Sequence, residues 1–320
     1  MKRRSLLAAP AFLPGLVRAQ ASLPLVGVLR TGRQGDDQFV EVFRRDMARL
    51  GYEEGRNYRV HYAFANGNAE RLPALASELV TAGIQLLVVF SVSGVAAAQA
   101  ATRTIPIVAM ADDLALVNTG QVASVARPGG NTTGVSILGR LLDSKRLEVL
   151  HELVPGARRI GMVTDGVAST LAELGKVEEA ARKLGLATTV THIRNEGQID
   201  AGLASLRAAG VEAVQFFAST FLQAARHRFI DEINRMKLPA IYEWPETVEE
   251  VGLSSYGPRI TLCYRHVAVL VSRVLRGAKP SDLPIEQPSV FTLAINTGVA
   301  KKIGIVLPEN MLLRADLLID

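Results

Sequence analysis

The sequence predicts an α/β protein of two doubly wound lobes, each organised on a parallel β-sheet. The prediction rests first on short strand-type apolar runs that alternate with helical periodicity along most of the chain, the pattern of successive βα units. It rests second on landmarks that recur in the same order in the second half, and third on a length of 320 residues, more than one hydrophobic core ordinarily organises.

Taken in order, the first residues form a targeting segment. Lys2, Arg3 and Arg4 are a charged head, Leu6 to Val17 a short apolar stretch broken by Pro10 and Pro14, and Ala19-Gln20-Ala21 a small-x-small cleavage site. The stretch is too short and too interrupted to span a bilayer. The arginine pair before Ser5, Leu6 and Leu7 also permits twin-arginine export, but the phenylalanine and upstream serine of a good signal are missing, which favours general secretion. An ordinary amphipathic first helix is the alternative. After cleavage near Ala21 the chain loses Lys2, Arg3, Arg4 and Arg18, four of its net five positive charges, and is left nearly neutral. A surface without a basic stripe argues against nucleic acid as a ligand.

Leu23 to Leu29 is the first strand-type run, followed by Phe39, Val42, Phe43, Met47 and Leu50 spaced as one helical face. Alternating Tyr58, Val60, Tyr62 and Phe64 read as a strand, Leu72, Leu75 and Leu79 as a helix, and Ile84 to Phe90 as a fully buried strand. A small-residue helix, Gly94 to Ala101, leads into the run Ile105 to Met110.

The second half repeats this order. Val26-Gly27-Val28 resembles Ile160-Gly161-Met162, and Leu50-Gly51-Tyr52 resembles Leu184-Gly185-Leu186, both at a spacing of 134 residues. Ala82-Gly83-Ile84 resembles Ala209-Gly210-Val211 at 127, and Ile105-Pro106-Ile107 resembles Leu238-Pro239-Ala240 at 133. A unit this long means duplicated lobes rather than a solenoid array; one large doubly wound domain is the alternative.

In open parallel sheets a ligand sits beyond the carboxyl ends of the strands, so two facing lobes would line one cleft. The strand ends supply Thr31, Asn66, Ser91 with Ser93, and Asp112 from the first lobe. From the second they supply Asp165, Asn195, Ser219 with Thr220, and Glu243. Ser91-Val92-Ser93-Gly94 places small hydroxyl residues between a buried strand and a helix, where backbone N–H groups can hold an anion; a plain N-cap is the bland alternative. Asp112 and Asp165 suit an ammonium or hydroxyl, or simple turns. Tyr242, Trp244 and Tyr256 crowd a short region in a chain that is only 5% aromatic, which suits an aromatic, heterocyclic or cationic ligand, with core packing as the alternative.

Catalytic signals are weak. The five histidines show no zinc spacing, Phe90-Ser91-Val92-Ser93-Gly94 lacks the first glycine of a nucleophile elbow, and there is no phosphate loop or dinucleotide fingerprint. Cys263, the one cysteine, excludes an intrachain disulfide and a clustered-thiol metal site. It also lies too far from the leader to carry a lipid, so the chain reads as a freely diffusing periplasmic protein and not a lipoprotein.

The segments VASVARPGGNTTGVS (Val122 to Ser136), KRLEVLHELVPGARRIGMV (Lys145 to Val163), LPAIYE (Leu238 to Glu243), GLSSYGP (Gly252 to Pro258) and RGAKPSDLPIEQP (Arg276 to Pro288) resemble the ABC transporter substrate-binding proteins that include the tryptophan- and tyrosine-binding members. The resemblance runs from about Leu23 to the C-terminus. It implies a type I periplasmic-binding fold with a three-crossing hinge, placed here near Gly139, Pro258 and Pro288. The domains expected are a signal peptide over 1–21, an N-terminal lobe of 22–139 plus 259–287, and a C-terminal lobe of 140–258 plus 288–320.

It also implies a periplasmic importer component that captures an aromatic or amino-acid-like ligand by lobe closure and delivers it to permease subunits. Family positions matched here are Ser91 and Ser93, Tyr242 with Glu243, and Ser255 with Tyr256. The chain departs from the family pattern after Met110, where it reads Ala-Asp-Asp-Leu-Ala-Leu-Val-Asn, and at Val163-Thr164-Asp165. Both departures fall at the expected cleft, so ligand identity is not carried over. No enzyme activity, cofactor or membrane insertion is expected, and the chain is expected to be a monomer. A ligand sensor for a membrane signalling partner and an exported α/β enzyme are the rival readings.

Overall fold

Apolar runs buried on both faces become the inner strands of two parallel sheets. In the computed structural model, which describes residues 23–32, 38–139, 141–166 and 168–320, the first run forms β1 (Leu25–Arg30) and the next elements follow as βα units. These are α1 (Gln38–Arg49), β2 (Arg59–Phe64), α2 (Leu72–Thr81), β3 (Leu86–Phe90), α3 (Ser91–Ala101), β4 (Ile107–Ala111), α4 (Asp113–Asn118) and β5 (Thr132–Ser136). The targeting segment expected over 1–21 lies outside the described residues.

The five strands pair in the order β2-β1-β3-β4-β5, all parallel. Strands β3 and β4 are buried along their whole length, whereas β2, at the sheet edge, alternates exposed and covered residues, which is why its sequence alternates. Strand β4 starts at Ile107 and not at Ile105, because Pro106 between them has no N–H to give a ladder.

The second lobe contains α5 (Asp143–Leu153), β6 (Arg159–Thr164), α6 (Ala168–Lys183), β7 (Ala187–His192), α7 (Ile199–Ala208) and β8 (Ala213–Phe216). It continues with α8 (Thr220–Ala224), α9 (Arg226–Arg235), β9 (Ala240–Tyr242), α10 (Pro245–Glu249) and β10 (Ser254–Gly257). Helix α11 (Ile260–Leu275) returns to the first lobe and packs on α1. The chain ends with β11 (Thr292–Asn296), α12 (Thr297–Ile303), α13 (Glu309–Arg314) and β12 (Leu317–Ile319) in the second lobe.

That sheet runs β12-β11-β10-β9-β8-β6-β7, parallel except where β11 meets β10. Its segment β7-β6-β8-β9-β10 has the same order as the whole first sheet, so one topology occurs twice.

The recurring glycines have physical causes. Gly27 in β1 and Gly161 in β6 lie where a Cβ would come within 2.9 Å of Ile84 and 3.1 Å of Leu206, so a neighbouring side chain can lie flat on each first strand. Gly51 and Gly185 follow α1 and α6 with φ of 87° and 70°, a left-handed geometry that ends a helix and suits glycine. Gly134 in β5 lies so close to β4 that a Cβ would clash with the Ala109 carbonyl.

Each sheet is covered on both faces. In the first lobe one face packs on α1 and α11, through Phe39, Phe43, Val267 and Val271, and the other on α2 and α3, through Leu75, Leu79, Val95 and Ala98. In the second, Leu147, Leu150 and Val177 cover one face and Leu203, Phe229 and Ile233 the other. The chain passes between the lobes after β5, after β10 and again before β11. The third passage leaves the first lobe along β5, where Ser136 donates to the Glu286 carbonyl at 2.7 Å and Glu286 to that of Gly134 at 2.9 Å.

Among the described residues no helix is long and apolar enough to cross a membrane.

Candidate functional site

Parallel strands carry their loops and the following helix N-termini at their carboxyl ends. In the first lobe the ends of β1, β2, β3 and β4 carry the expected residues. Thr31 follows β1 and is buried, with no protein partner for its Oγ1. Beside it the Arg30 guanidinium lies over the Phe90 ring, 3.9 Å from its centroid, and 5.3 Å from that of Phe39. This stacking holds a positive group at the lip of the lobe.

Ser91 joins β3 to α3 with φ of 67°, a left-handed conformation uncommon for serine. Its Oγ accepts from the Gly94 N–H at 3.2 Å and lies 3.1 Å from the Oγ of exposed Ser93. The Ser91 hydroxyl therefore serves its own helix as a cap. Asp112 caps α4, its Oδ1 accepting from the Ala115 N–H at 3.0 Å, while buried Oδ2 has no protein partner. Asn66 is an exposed turn residue with φ of 55° and stands apart from these groups in character.

In the second lobe Asp165 is half-buried after β6, and its carbonyl accepts from Arg194 Nε at 3.2 Å. Ser219 caps α8, its Oγ accepting from the N–H groups of Phe221 and Leu222, and half-buried Thr220 opens that helix. Asn195 is exposed at the turn before α7.

Tyr242 ends β9, stacked on Phe216 with centroids 4.8 Å apart and rings 15° from parallel. Its hydroxyl is buried without a partner, and burial pushes the phenol well above its ordinary range. Ser255, its register partner on β10, is fully buried with Oγ likewise unpartnered. Glu243 is buried, and burial raises its carboxyl against the opposing pull of Arg146. Its Oε1 accepts no hydrogen bond. A small cavity lined by Phe216, Leu222, Phe229, Tyr242, Glu243 and Thr247 lies beside these residues.

The three aromatic residues expected to wall one ligand do not come together. Tyr242 belongs to the core under α9, Trp244 to the core of the first lobe, and Tyr256 packs on the opposite side of the second sheet, 6.3 Å from the Phe291 ring. Register explains the split: Tyr242 pairs with Ser255, so Tyr256, one residue on, points to the other face.

The most unusual polar group is Arg146, fully buried in α5. Its Nε donates to the Tyr256 carbonyl at 2.8 Å, and its Nη1 to the Gly139 carbonyl at 2.6 Å and to Asp143 Oδ1 at 2.7 Å. It thus ties the first two passages between the lobes to one helix. Arg146, Leu150 and Leu153 are spaced by four and three residues, a helical-face signal that could have marked this arginine as buried. Arg30 carried no such mark. Cys263 is buried and unpaired, its thiol pushed up to about 12 by burial, which makes it unreactive.

The lobes approach each other at two points. A Cβ built on Gly32, just past β1, would lie 3.9 Å from the Ala224 Cβ on α8. At the first passage one built on Gly139 would lie 2.7 Å from the Ala218 Cβ.

Against known proteins, a family model described as ABC transporter substrate binding protein matches residues 33–319. A tyrosine-binding protein of Clostridioides difficile is 25% identical over 270 residues, covering 83% of this chain and 76% of that protein. Among solved structures, an ABC domain in complex with L-Trp from Streptococcus pneumonia superposes with a TM-score of 0.81 at 22% identity, covering 93% of this chain and 100% of that one. A conserved domain protein from Vibrio cholerae also gives 0.81, at 24% identity, covering 92% and 99%. At these identities the two structures establish a common fold.

Proposed function

The chain belongs to the ABC transporter substrate-binding protein family, and on that premise we propose that it captures an aromatic or amino-acid-like solute between its lobes and delivers it to the permease subunits of an importer. Members of the family bind small solutes for ABC permeases and are not enzymes. The proposed protein works in the periplasm after cleavage near Ala21 and serves uptake. Lobes of 22–139 plus 259–287 and of 140–258 plus 288–320 would close about the three passages.

The observation that carries the reading is a set of buried polar atoms without protein partners at or beside strand ends of both lobes: Thr31 Oγ1 and Asp112 Oδ2 from one, Tyr242 Oη, Glu243 Oε1 and Ser255 Oγ from the other. A buried polar atom left unpaired costs about 1–3 kcal/mol, so hydrogen-bonding groups of a guest offset a standing penalty. Asp112 suits an ammonium. The hydroxyls of Ser91, Ser93, Ser219 and Thr220 sit at helix N-termini, where a carboxylate is favoured. The Phe216–Tyr242 stack lines the small cavity beside Glu243. Asp165 and Tyr256 complete the proposed set.

The likeness to a tyrosine-binding protein makes L-tyrosine and L-tryptophan the first probes. Native mass spectrometry of the protein as purified should show a bound small molecule. Thermal-shift titration with either amino acid should raise the melting temperature with concentration, as binding to the folded state alone requires. A protein that carries nothing and is shifted by no aromatic amino acid or aromatic acid would remove the ligand class from the proposal.

A further inference from the structure

The residues after Tyr242 and Glu243 leave the second lobe's sheet and reach into the first lobe. Trp244, the only tryptophan of the chain, follows β9, yet its side chain is buried in the first lobe's core with Ile260, Tyr264 and Val267. Two residues on, Glu246 lies in α10, which packs on β9, β10 and β11 of the second lobe. Its carboxylate, however, serves a helix of the other lobe. Oε1 accepts from the Thr261 N–H at 3.1 Å and from Thr261 Oγ1 at 2.7 Å, and Oε2 accepts from the Ile260 N–H at 3.3 Å.

Ile260 and Thr261 are the first residues of α11, a 16-residue helix packed against α1, β3, β4 and β5. The N-cap residue, Arg259, makes no side-chain capping bond to it. Its orphan N–H groups and dipole are met by a carboxylate supplied across the hinge. Arg259, in the second passage, adds a bond to Glu249 of α10 at 2.7 Å.

We infer that Glu246 is a positioning residue for ligand capture: its bonds to the first turn of α11, with Trp244 seated in the first lobe's core, hold the lobes in the arrangement in which Gly32 and Ala224 meet. Tyr242 and Glu243 lie four and three residues before Glu246 in the chain, so a guest that orders them orders the latch. The inference rests on the proposed closure of the lobes on a ligand.

Pulsed electron paramagnetic resonance tests it without any ligand. Spin labels at Ser77→Cys on α2 and Ser205→Cys on α7, both exposed, report the distance between the lobes, while buried Cys263 stays unlabelled. The protein is refolded from guanidinium to strip bound solute. With Glu246 intact a single narrow distance distribution is expected. Glu246→Ala should broaden it and add a longer-distance population, and Glu246→Gln, which keeps one acceptor oxygen, should restore part of the narrow one. Thr261→Val, which removes only the hydroxyl donor, should move the distribution the same way by less, and serves if Glu246→Ala does not fold. Distributions unchanged in Glu246→Gln and Thr261→Val, or in folded Glu246→Ala, overturn the inference.

If the wild-type protein binds L-tyrosine, Glu246→Ala should weaken the Kd roughly tenfold, the scale of typical coupling between sites. Failure of L-tyrosine to bind the wild type counts against the proposed function alone, because the label distances do not depend on it.

Discussion

Replacing Arg146 with Met tests whether the buried ion pair organises the second lobe. Arg146 and Asp143 are almost completely buried and 2.7 Å apart, so removing the cation takes away the guanidinium that Asp143 Oδ1 accepts from in a water-poor interior. Breaking a buried pair in this way costs about 3–5 kcal/mol. The carbonyls of Gly139 and Tyr256 lose their donor in the same step, though these losses overlap with the first and do not simply add. At about 2–4 °C per kcal/mol for a lobe of this size, the second lobe should melt roughly 10 °C earlier.

Two probes separate the lobes. Trp244 fluorescence follows the first lobe's core, in which it is buried, while far-UV circular dichroism follows both. The dichroism transition should therefore move first and split, with fluorescence lagging behind it. Asp143→Leu in the Arg146→Met background should recover much of the loss, since a neutral apolar pair leaves no buried charge. A destabilisation of Arg146→Met below about 1 kcal/mol, the level of an ordinary substitution, would show that the pair does not organise the lobe, and so would a double mutant no better than the single one.

Glu243 sets a pH dependence. Burial raises its carboxyl above the ordinary glutamate range, so its contribution is fully present below the unfolded value of about 4.3 and is lost as pH rises through the folded value. Glu243→Gln should gain melting temperature relative to wild type as pH is raised from 4 to neutral; a constant difference would show that Glu243 does not titrate this way. Tyr242→Phe removes a buried hydroxyl without a protein partner and keeps the stack on Phe216. It should melt at or above the wild-type temperature, while calorimetry shows roughly fivefold weaker binding of L-tyrosine, the worth of one hydrogen bond. Ser91→Ala and Asp165→Ala should each weaken L-tyrosine binding by about tenfold while costing no more than about 1 kcal/mol of stability, the scale of a lost helix cap; unchanged calorimetric affinity in both would remove these residues from the site.

The order of strands and helices was legible in the chain because it depends on local periodicity. The repeated glycines were legible because Gly51 and Gly185 each end a helix in a conformation most residues avoid. Strand-end hydroxyls could be named in the same way, since any βα unit exposes its carboxyl end. Whether a named hydroxyl is already used is another matter: Ser91 and Ser219 cap their own helices, and only the folded chain reveals it. The spread of Tyr242, Trp244 and Tyr256 over three cores follows from strand register and from a chain excursion into the other lobe.

Two lobes of alternating strands and helices are written in local patterns, because hydrophobic spacing and turn residues act over a few neighbours. That Arg146 gathers two hinge passages and that Glu246 caps a helix of the opposite lobe emerges on folding. Those contacts join segments distant in sequence or in different lobes, and no local rule of spacing or composition reaches across such a gap.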